Sequence, residues 1–453
     1  MPCFGCWKEV PDMSDRIEIY LSVAGEQIRW KRAKPALLEE LRTHLLDQRD
    51  ACLAEGMSEE EAQAEAVLQM GDAVAVGQGL DRVHRPKPQW GLLFLTVAVS
   101  VAGVIFRLVL TAGVDWPTAS AGVSETMLAL VLGIGCLFLA YFLDYTFFGN
   151  YGKRIYLAAL VLGAAMVGLE TVGLHYMSYL TSFYPLAYAV WLYSWRGTGW
   201  KGFLCSIFGM VPLLGVRCLS GDSGFMFDLM VLLAAGVLFM MFLAWKDWFG
   251  IGRKTGIGVL STGTLLAGSW GAVRVLTSDY MTSRLCYAFR PELDPMGYGY
   301  TGMNARQALE SARWMGEGTW IGEYPYELMM PQGQGDFLLT TMVHKLGWGP
   351  FLALILAFLL LTVCLLVKCL RQKNILAKLT VLAIVIPMVF RTVVSLGMNF
   401  GIVILFAHFP LFSGNMALVM DMYLIGMVLS VFRQEKLPIT ARKTQRTYFG
   451  FGQ

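Results

Sequence analysis

The sequence predicts an all-α polytopic membrane protein with about ten transmembrane helices, a large ordered extracellular loop and a small cytoplasmic helical bundle. Apolar residues make up 56% of the 453 residues and charged residues 15%, whereas soluble domains average about 25% charged residues. Apolar runs such as 91–110 and 351–367 have roughly the 20 residues that cross a bilayer as a helix. Basic residues also cluster in alternate connections between these runs.

Residues 1–88 are predicted to form a cytoplasmic prefix domain of three amphipathic helices. The first helix follows Ser14 as a cap, and its apolar face is formed by Ile17, Leu21, Ala24 and Ile28. The second helix begins at Pro35. The third begins at a Ser58–Glu61 capping box and ends near Gly71.

Residues 89–433 are predicted to form the membrane domain, with a basic tail at 434–453. We expect spans at about 91–112, 124–146, 154–175, 177–195, 201–218, 225–245, 256–278, 337–367, 377–403 and 411–432. Lys and Arg lie in the connections at 150–154, 196–201, 246–254 and 368–378 and after residue 432. Because positive charge marks the cytoplasmic side, both termini are predicted to be cytoplasmic.

The connection at 279–336 differs from the others in its length and polarity. Long loops in compact proteins are usually functional or disordered. This one is rich in Trp, Tyr and Met as well as in Gly and charge, which is not the composition of a disordered linker. It is therefore predicted to be an ordered extracellular loop that holds the functional site.

Three motifs follow one another in this loop: RLCYAFRPELDPMGYGY (284–300), QALESARWMGEGTWIG (307–322) and PQGQGDFLLTTMVHKLG (331–347). Their order and spacing resemble the outer loop of the RodA/FtsW/SpoVE (SEDS) family. The matching residues are Arg284, Phe289, Pro291, Asp294, Pro295, Gly297, Tyr300, Gly316, Gly318, Pro331, Asp336 and Phe337. Shorter matches at 150–154, 218–224, 395–401 and 410–414 extend the resemblance over about residues 90–433.

The resemblance implies a peptidoglycan glycosyltransferase that polymerises lipid II at the outer face of the bacterial cytoplasmic membrane, in cell-shape, division or sporulation processes. It implies lipid II, membrane lipid and a class B penicillin-binding protein as partners, and no nucleic acid. No cofactor is expected, with a divalent cation left open, and no residues are assigned to a metal.

Asp336 matches the family's essential loop aspartate, which makes it the candidate general base. A partly desolvated carboxylate has a raised pKa and accepts a proton more readily. Pro331, Gly333 and Gly335 would let the loop turn tightly before it. The alternative is structural, because an Asp placed just before an apolar helix could be its N-cap.

The other candidate residues are expected to bind substrate. Guanidinium groups fit phosphate oxygens, so the candidate pyrophosphate ligands are Arg284, Arg290, Arg306 and Arg313. The alternative for each arginine is an ion pair with a loop carboxylate, such as Glu292 or Glu317. Asp222 would either line the same outer cavity or cap a span.

The sequence departs from the family pattern after Asp336, where His344 and Lys345 replace an acidic pair. A lone histidine in a helix is more often a packing residue than a catalytic one. Two other functions therefore stay open. One is a flippase or transporter of a lipid-linked precursor, and the other is a non-catalytic scaffold for a penicillin-binding protein.

Overall fold

The computed structural model describes residues 16–31, 33–111, 119–170, 180–219, 225–320, 326–330, 335–412 and 416–435. All the regular elements in these ranges are helices, which confirms the predicted fold class. The chain forms two compact units, one of residues 1–88 with 433–453 and the other of residues 89–432.

The described part of the first unit contains four helices: α1 (Arg16–Gln27), α2 (Lys34–Ala54), α3 (Glu59–Met70) and α4 (Ala73–His84). The predicted face of α1 is buried, and the Ser58–Glu61 capping box is present. The prediction of three helices was wrong, because a further helix starts where Gly71 ends α3. Asp72 caps α4 by accepting a hydrogen bond from the Ala75 N–H at 2.9 Å. The two glycines inside this helix weaken the helical pattern of its sequence.

The second unit begins with the helices α5 (Trp90–Thr111), α6 (Ala119–Phe142), α7 (Thr146–Glu170), α8 (Tyr184–Tyr193), α9 (Gly199–Phe208), α10 (Met210–Leu219), α11 (Phe225–Trp245) and α12 (Arg253–Leu276). The long loop holds α13 (Asp279–Phe289), a 3-10 turn (Pro291–Leu293), α14 (Tyr300–Glu310) and the short α15 (Tyr326–Met329). The chain continues through α16 (Leu338–Leu346), α17 (Trp348–Arg371), α18 (Ile375–Asn399) and α19 (Met416–Arg433).

Nine segments of the described residues are long and apolar enough to cross a membrane: α5, α6, α7, α9 with α10, α11, α12, α17, α18 and α19. The chain is therefore a multi-pass membrane protein. The predicted span at 177–195 lies partly outside the described residues, and its described part contains the ten-residue helix α8.

The predicted span at 337–367 is divided into two helices. Its first residue is therefore Trp348 and not residue 337. Gly347 separates α16 from α17 with a φ of 96°, a value that L side chains rarely adopt. Its Cα also lies so close to the backbone of Trp314 that a Cβ would come within 2.6 Å of the Trp314 carbonyl oxygen. The break leaves α16 outside the candidate spans as a separate short helix that follows Asp336.

Candidate functional site

Asp336 lies in a turn that leads into α16. The Leu338 N–H donates to the Gly335 carbonyl at 3.3 Å, and the fully buried Phe337 anchors the turn in the protein. Phe337, not Asp336, occupies the N-cap position of α16, and no side chain caps that helix end. The alternative role of Asp336 as an N-cap is therefore wrong.

The Asp336 carboxylate is half-buried. Within the described residues, no side chain or backbone donor forms a hydrogen bond or an ion pair with it. Burial raises the pKa of Asp336 above the ordinary aspartate value of 3.8, and desolvation is the cause. A carboxylate in this environment accepts a proton more readily than one in water.

The backbone of Asp336 is fixed, although its carboxylate has no partner among the described residues. Asn399, the last residue of α18, donates from Nδ2 to the Asp336 carbonyl at 2.9 Å. The same side chain accepts from the Thr340 N–H through Oδ1 at 2.9 Å, and Thr340 Oγ1 donates to the Asn399 carbonyl at 2.8 Å. Asn399 thus joins the end of α18 to the start of α16. The sequence motif at 395–401 contained this residue but gave no role to it.

The other end of α16 is held by the Gly-rich part of the loop. Four backbone hydrogen bonds connect residues 313–318 to the α16–α17 junction: Gly316 N to Leu346 O (2.9 Å), Gly318 N to His344 O (2.7 Å), Trp348 N to Arg313 O (3.0 Å) and Gly349 N to Trp314 O (2.9 Å). Gly316 has a φ of 82°, and a Cβ on Gly318 would lie 2.6 Å from the Ser311 carbonyl oxygen. Gly316 thus supplies a backbone conformation that L side chains rarely adopt, and Gly318 lets the backbone pass close to Ser311.

His344 and Lys345, the two departures from the family pattern, have structural contacts. The His344 ring is buried and stacks on Tyr326 with ring centroids 4.5 Å apart. Lys345 Nζ lies 2.7 Å from Glu317 Oε1. His344 is thus a packing residue, as expected for a lone histidine in a helix.

Arg306 contacts the end of α13. Its Nη2 donates to the carbonyls of Ala288 at 3.5 Å and Phe289 at 3.0 Å, and its Nη1 lies 3.8 Å from Glu292 Oε2. These contacts satisfy carbonyl groups that the helix leaves free. These contacts favour the alternative role of Arg306, in which it positions the loop, over a role as a phosphate ligand.

The other three arginines have fewer contacts. Arg284 donates to the Tyr280 hydroxyl at 3.1 Å. Arg290 and Arg313 are exposed. Contacts place Arg284, Arg290 and Arg306 around α13, whereas Arg313 lies beside the α16–α17 junction, so the four do not form one cluster through direct contacts. Asp222 lies outside the described residues.

Sequence reasoning missed a buried polar cluster between α18 and α19, which we call the Arg391 hub. Arg391 on α18 donates from Nη1 to Asp421 Oδ1 on α19 at 2.8 Å and from Nη2 to Ser182 Oγ at 3.2 Å. Its Nη1 also lies 3.2 Å from His408 Nε2. Asp421 Oδ2 accepts from the Leu411 N–H at 3.1 Å, which holds Leu411 at an unusual φ of 65°.

A second buried ion pair lies near the hub. Arg217 is 1% exposed, and its Nε lies 2.9 Å from Asp228 Oδ2, which also accepts from Thr181 Oγ1 at 2.8 Å. A small cavity borders both ion pairs, and its lining includes Thr181, Ser182, Tyr184, Arg217, Asp228 and Arg391. A charged residue inside an apolar run indicates a partner on another helix, and this signal could have located both pairs.

The described parts of the chain contain no candidate metal site. No group of three His, Cys, Asp or Glu side chains is placed there to hold a metal ion.

Residues 178–437 match the model of the FtsW/RodA/SpoVE family, which is described as a family of cell cycle proteins. Among curated proteins, the chain is 26% identical over 209 residues to peptidoglycan glycosyltransferase MrdB of Escherichia coli K12. That match covers 46% of this chain and 55% of MrdB, so the chain spans about half the length of this relative.

Two further similarities extend the comparison. The chain is 24% identical over 317 residues to the probable peptidoglycan glycosyltransferase FtsW of Aliivibrio salmonicida, covering 69% of this chain and 70% of that protein. A chain of a peptidoglycan synthase complex of known structure has the same fold, with a TM-score of 0.55 at 20% identity. That match covers 77% of this chain and 98% of the other chain.

Proposed function

The protein belongs to the FtsW/RodA/SpoVE family of cell cycle proteins, since the family's model matches more than half of the chain, and we propose that it is a peptidoglycan glycosyltransferase. Its substrate would be lipid II, a disaccharide-peptide carried on an undecaprenyl pyrophosphate. The names of MrdB and FtsW support the reaction class. The observation that carries the proposal for this chain is the half-buried carboxylate of Asp336, which has no partner among the described residues and lies on a fixed backbone turn.

In the proposed reaction a sugar hydroxyl of one substrate attacks the anomeric carbon of another. The hydroxyl proton passes to the Asp336 carboxylate as the new glycosidic C–O bond forms. The bond between the anomeric carbon and the pyrophosphate oxygen breaks, and its electron pair leaves with the lipid pyrophosphate. A positioned general base contributes about 10²–10⁴ in rate to a step of this kind.

The leaving pyrophosphate needs cationic support, for which the loop arginines are the candidates. Arg284, Arg290 and Arg313 remain candidates because no carboxylate in the described residues pairs with them. Arg306 is the weakest candidate, since its guanidinium already contacts two carbonyl groups and Glu292. Asp222, outside the described residues, keeps both of its sequence-based roles, lining the outer cavity or capping a span.

We place the reaction at the outer face of the bacterial cytoplasmic membrane, with both termini in the cytoplasm. The support is the basic residues in alternate connections, which mark the cytoplasmic side. The proposed domains remain a prefix at 1–88, a membrane domain at 89–433 and a tail at 434–453. A class B penicillin-binding protein is the proposed partner, supported by the similar fold of a chain from a peptidoglycan synthase complex.

The test is polymerisation of purified lipid II by the full chain in detergent, with and without its partner. Glycan strands visible on a gel, and lost on Asp336→Asn, would support the proposal. Transport of labelled lipid II across liposomes with no polymer would instead identify a flippase. Absence of both activities, with the partner's transpeptidation still stimulated, would identify a scaffold.

A further inference from the structure

Seven exposed cations surround three helix ends that lie far along the chain from the Asp336 loop. We call this surface the basic platform, and its residues are Lys153, Arg154, Arg196, Lys201, Lys246, Arg253 and Lys254. They come from the first turns of α7, from the connection between α8 and α9 with the start of α9, and from the connection between α11 and α12 with the start of α12.

The two connections in the platform are held together by their backbones. The Gly197 N–H donates to the Trp248 carbonyl at 3.0 Å, and the Gly199 N–H donates to the Phe249 carbonyl at 2.8 Å. Within the second connection, Asp247 Oδ1 accepts from the Gly252 N–H at 2.9 Å. The cations therefore project from a fixed surface rather than from independent loops.

Three of the cations lie over tryptophan rings. Lys153 Nζ is 4.1 Å from the ring centroid of Trp195. The Arg196 guanidinium is 5.0 Å from that of Trp248, and a third pair is formed by Arg253 over Trp245 at 5.1 Å. A ring restrains a cation without neutralising it, so the outward N–H groups stay available to an anion.

None of the seven cations forms an ion pair with a carboxylate in the described parts of the chain. Two of the loop cations, Arg306 and Lys345, do have carboxylate partners. The platform thus concentrates positive charge at the ends of membrane-spanning helices. Clusters of four to eight basic residues next to such helices attract acidic lipids.

The surface beside the platform is apolar. Trp200 is 48% exposed and Trp245 57% exposed, and on α9 Leu204 and Phe208 are 47% and 66% exposed. Tryptophan prefers the level of the lipid headgroups, and the exposed side chains of α9 would face acyl chains. A ligand that suits both parts is amphiphilic, with an anionic head and an apolar tail.

We propose that the basic platform binds the phosphate headgroup of an acidic glycerophospholipid, whose acyl chains lie against α9. This site is independent of the proposed glycosyl transfer. A zwitterionic phospholipid would bind less well, because its own ammonium group cancels the phosphate charge. Free phosphate would bind less well because it gains nothing from the apolar surface.

The test is thermal melting of the purified full chain in detergent, titrated with phosphatidylglycerol, phosphatidylcholine or inorganic phosphate. We expect phosphatidylglycerol, added in large excess over its Kd, to raise Tm by roughly 2–4 °C more than the other two. The triple variant Lys153→Gln/Arg196→Gln/Arg253→Gln should lose this difference. The matched control is Arg274→Gln, at the opposite end of α12 from Arg253, which should retain it.

A charge-conserving variant guards against a general loss of folding. Lys153→Arg/Arg196→Lys/Arg253→Lys keeps all three cations and should keep the preference for phosphatidylglycerol. Three results would overturn the proposal: an equal Tm rise with phosphatidylcholine, the same rise with inorganic phosphate, or an unchanged preference in a folded triple glutamine variant.

Discussion

Asp336 and Asp421 are both acids near the start of an apolar helix, yet their surroundings are opposite. Asp421 is 6% exposed, and its two oxygens accept from Arg391 and from the Leu411 N–H. The carboxylate of Asp336 has no such donor among the described residues, while its backbone is held by Asn399. A buried acid with every oxygen occupied stabilises the fold, whereas a held but unpartnered acid is available for chemistry.

Substitutions at the two sites should also have different effects on the stability of the fold. Removing one member of a buried ion pair leaves an uncompensated charge, which costs about 3–5 kcal/mol. Removing the charge of a desolvated, unpaired acid instead removes the unfavourable free energy of desolvating that charge.

Asp336→Asn should greatly slow polymerisation while leaving the protein folded. The amide keeps the shape of the side chain and loses its basicity, so we expect the rate to fall at least ~100-fold. Tm at neutral pH should stay the same or rise slightly. Both are measurable on the same preparation, by gel analysis of lipid II polymers and by thermal melting. A near wild-type rate would show that Asp336 is not the base.

Asp421→Asn should have the opposite pattern, with a large loss of stability. It leaves Arg391 buried without its carboxylate, so we expect a loss of about 3–5 kcal/mol, seen as a lower Tm in detergent. The control is the double variant Arg391→Met/Asp421→Leu, which should recover most of that loss because no buried charge remains. A double variant as unstable as Asp421→Asn would contradict a simple ion-pair account of the hub.

Asn399→Ala should reduce the rate more than its effect on folding explains. It frees the Asp336 carbonyl, and misplacement of a catalytic group by about 1 Å can cost up to ~100-fold. We expect a lower kcat with KM little changed.

The control for Asn399 lies at the other end of the same helix. Asn374 caps α18 by accepting from the Leu376 N–H at 2.9 Å, and loss of a cap costs about 1 kcal/mol. Asn374→Ala should therefore lower Tm without lowering kcat. Equal kcat losses in the two variants would remove the case for Asn399 as a positioning residue.

Lys345→Gln should have the smallest effect. The Lys345–Glu317 pair is partly exposed, and pairs of this kind contribute about 0–1 kcal/mol. We expect Tm and the polymerisation rate to stay close to wild type. A large loss of rate would mean that this departure from the family pattern takes part in the reaction.

Some features were predictable because a local pattern determines them. The spans follow from apolar length, and the capping box at Ser58 and Glu61 follows from spacing. The three loop motifs located Asp336 and the glycines at 316 and 318 before their backbone contacts were known.

Other features depend on contacts between segments that are distant in the chain. Gly347 separates α16 from α17 where the backbone of Trp314 passes beside it, and residues 337–367 alone do not show this contact. Arg391 and Asp421 are 30 residues apart, and Asn399 is 63 residues from Asp336. Their pairing follows from how the helices pack, which no periodicity in the sequence encodes.

The pH dependence of polymerisation would show whether Asp336 is the general base. Burial raises the pKa of Asp336 above 3.8. Because a base must be deprotonated to act, the rate should increase as pH rises through this raised pKa. Because burial disfavours the ionised carboxylate, the free energy of unfolding should fall as pH rises from 3.8 through the raised pKa of Asp336. The residual rate of Asp336→Asn should lack this rise. If the variant retains the same acid limb as wild type, another group is the base.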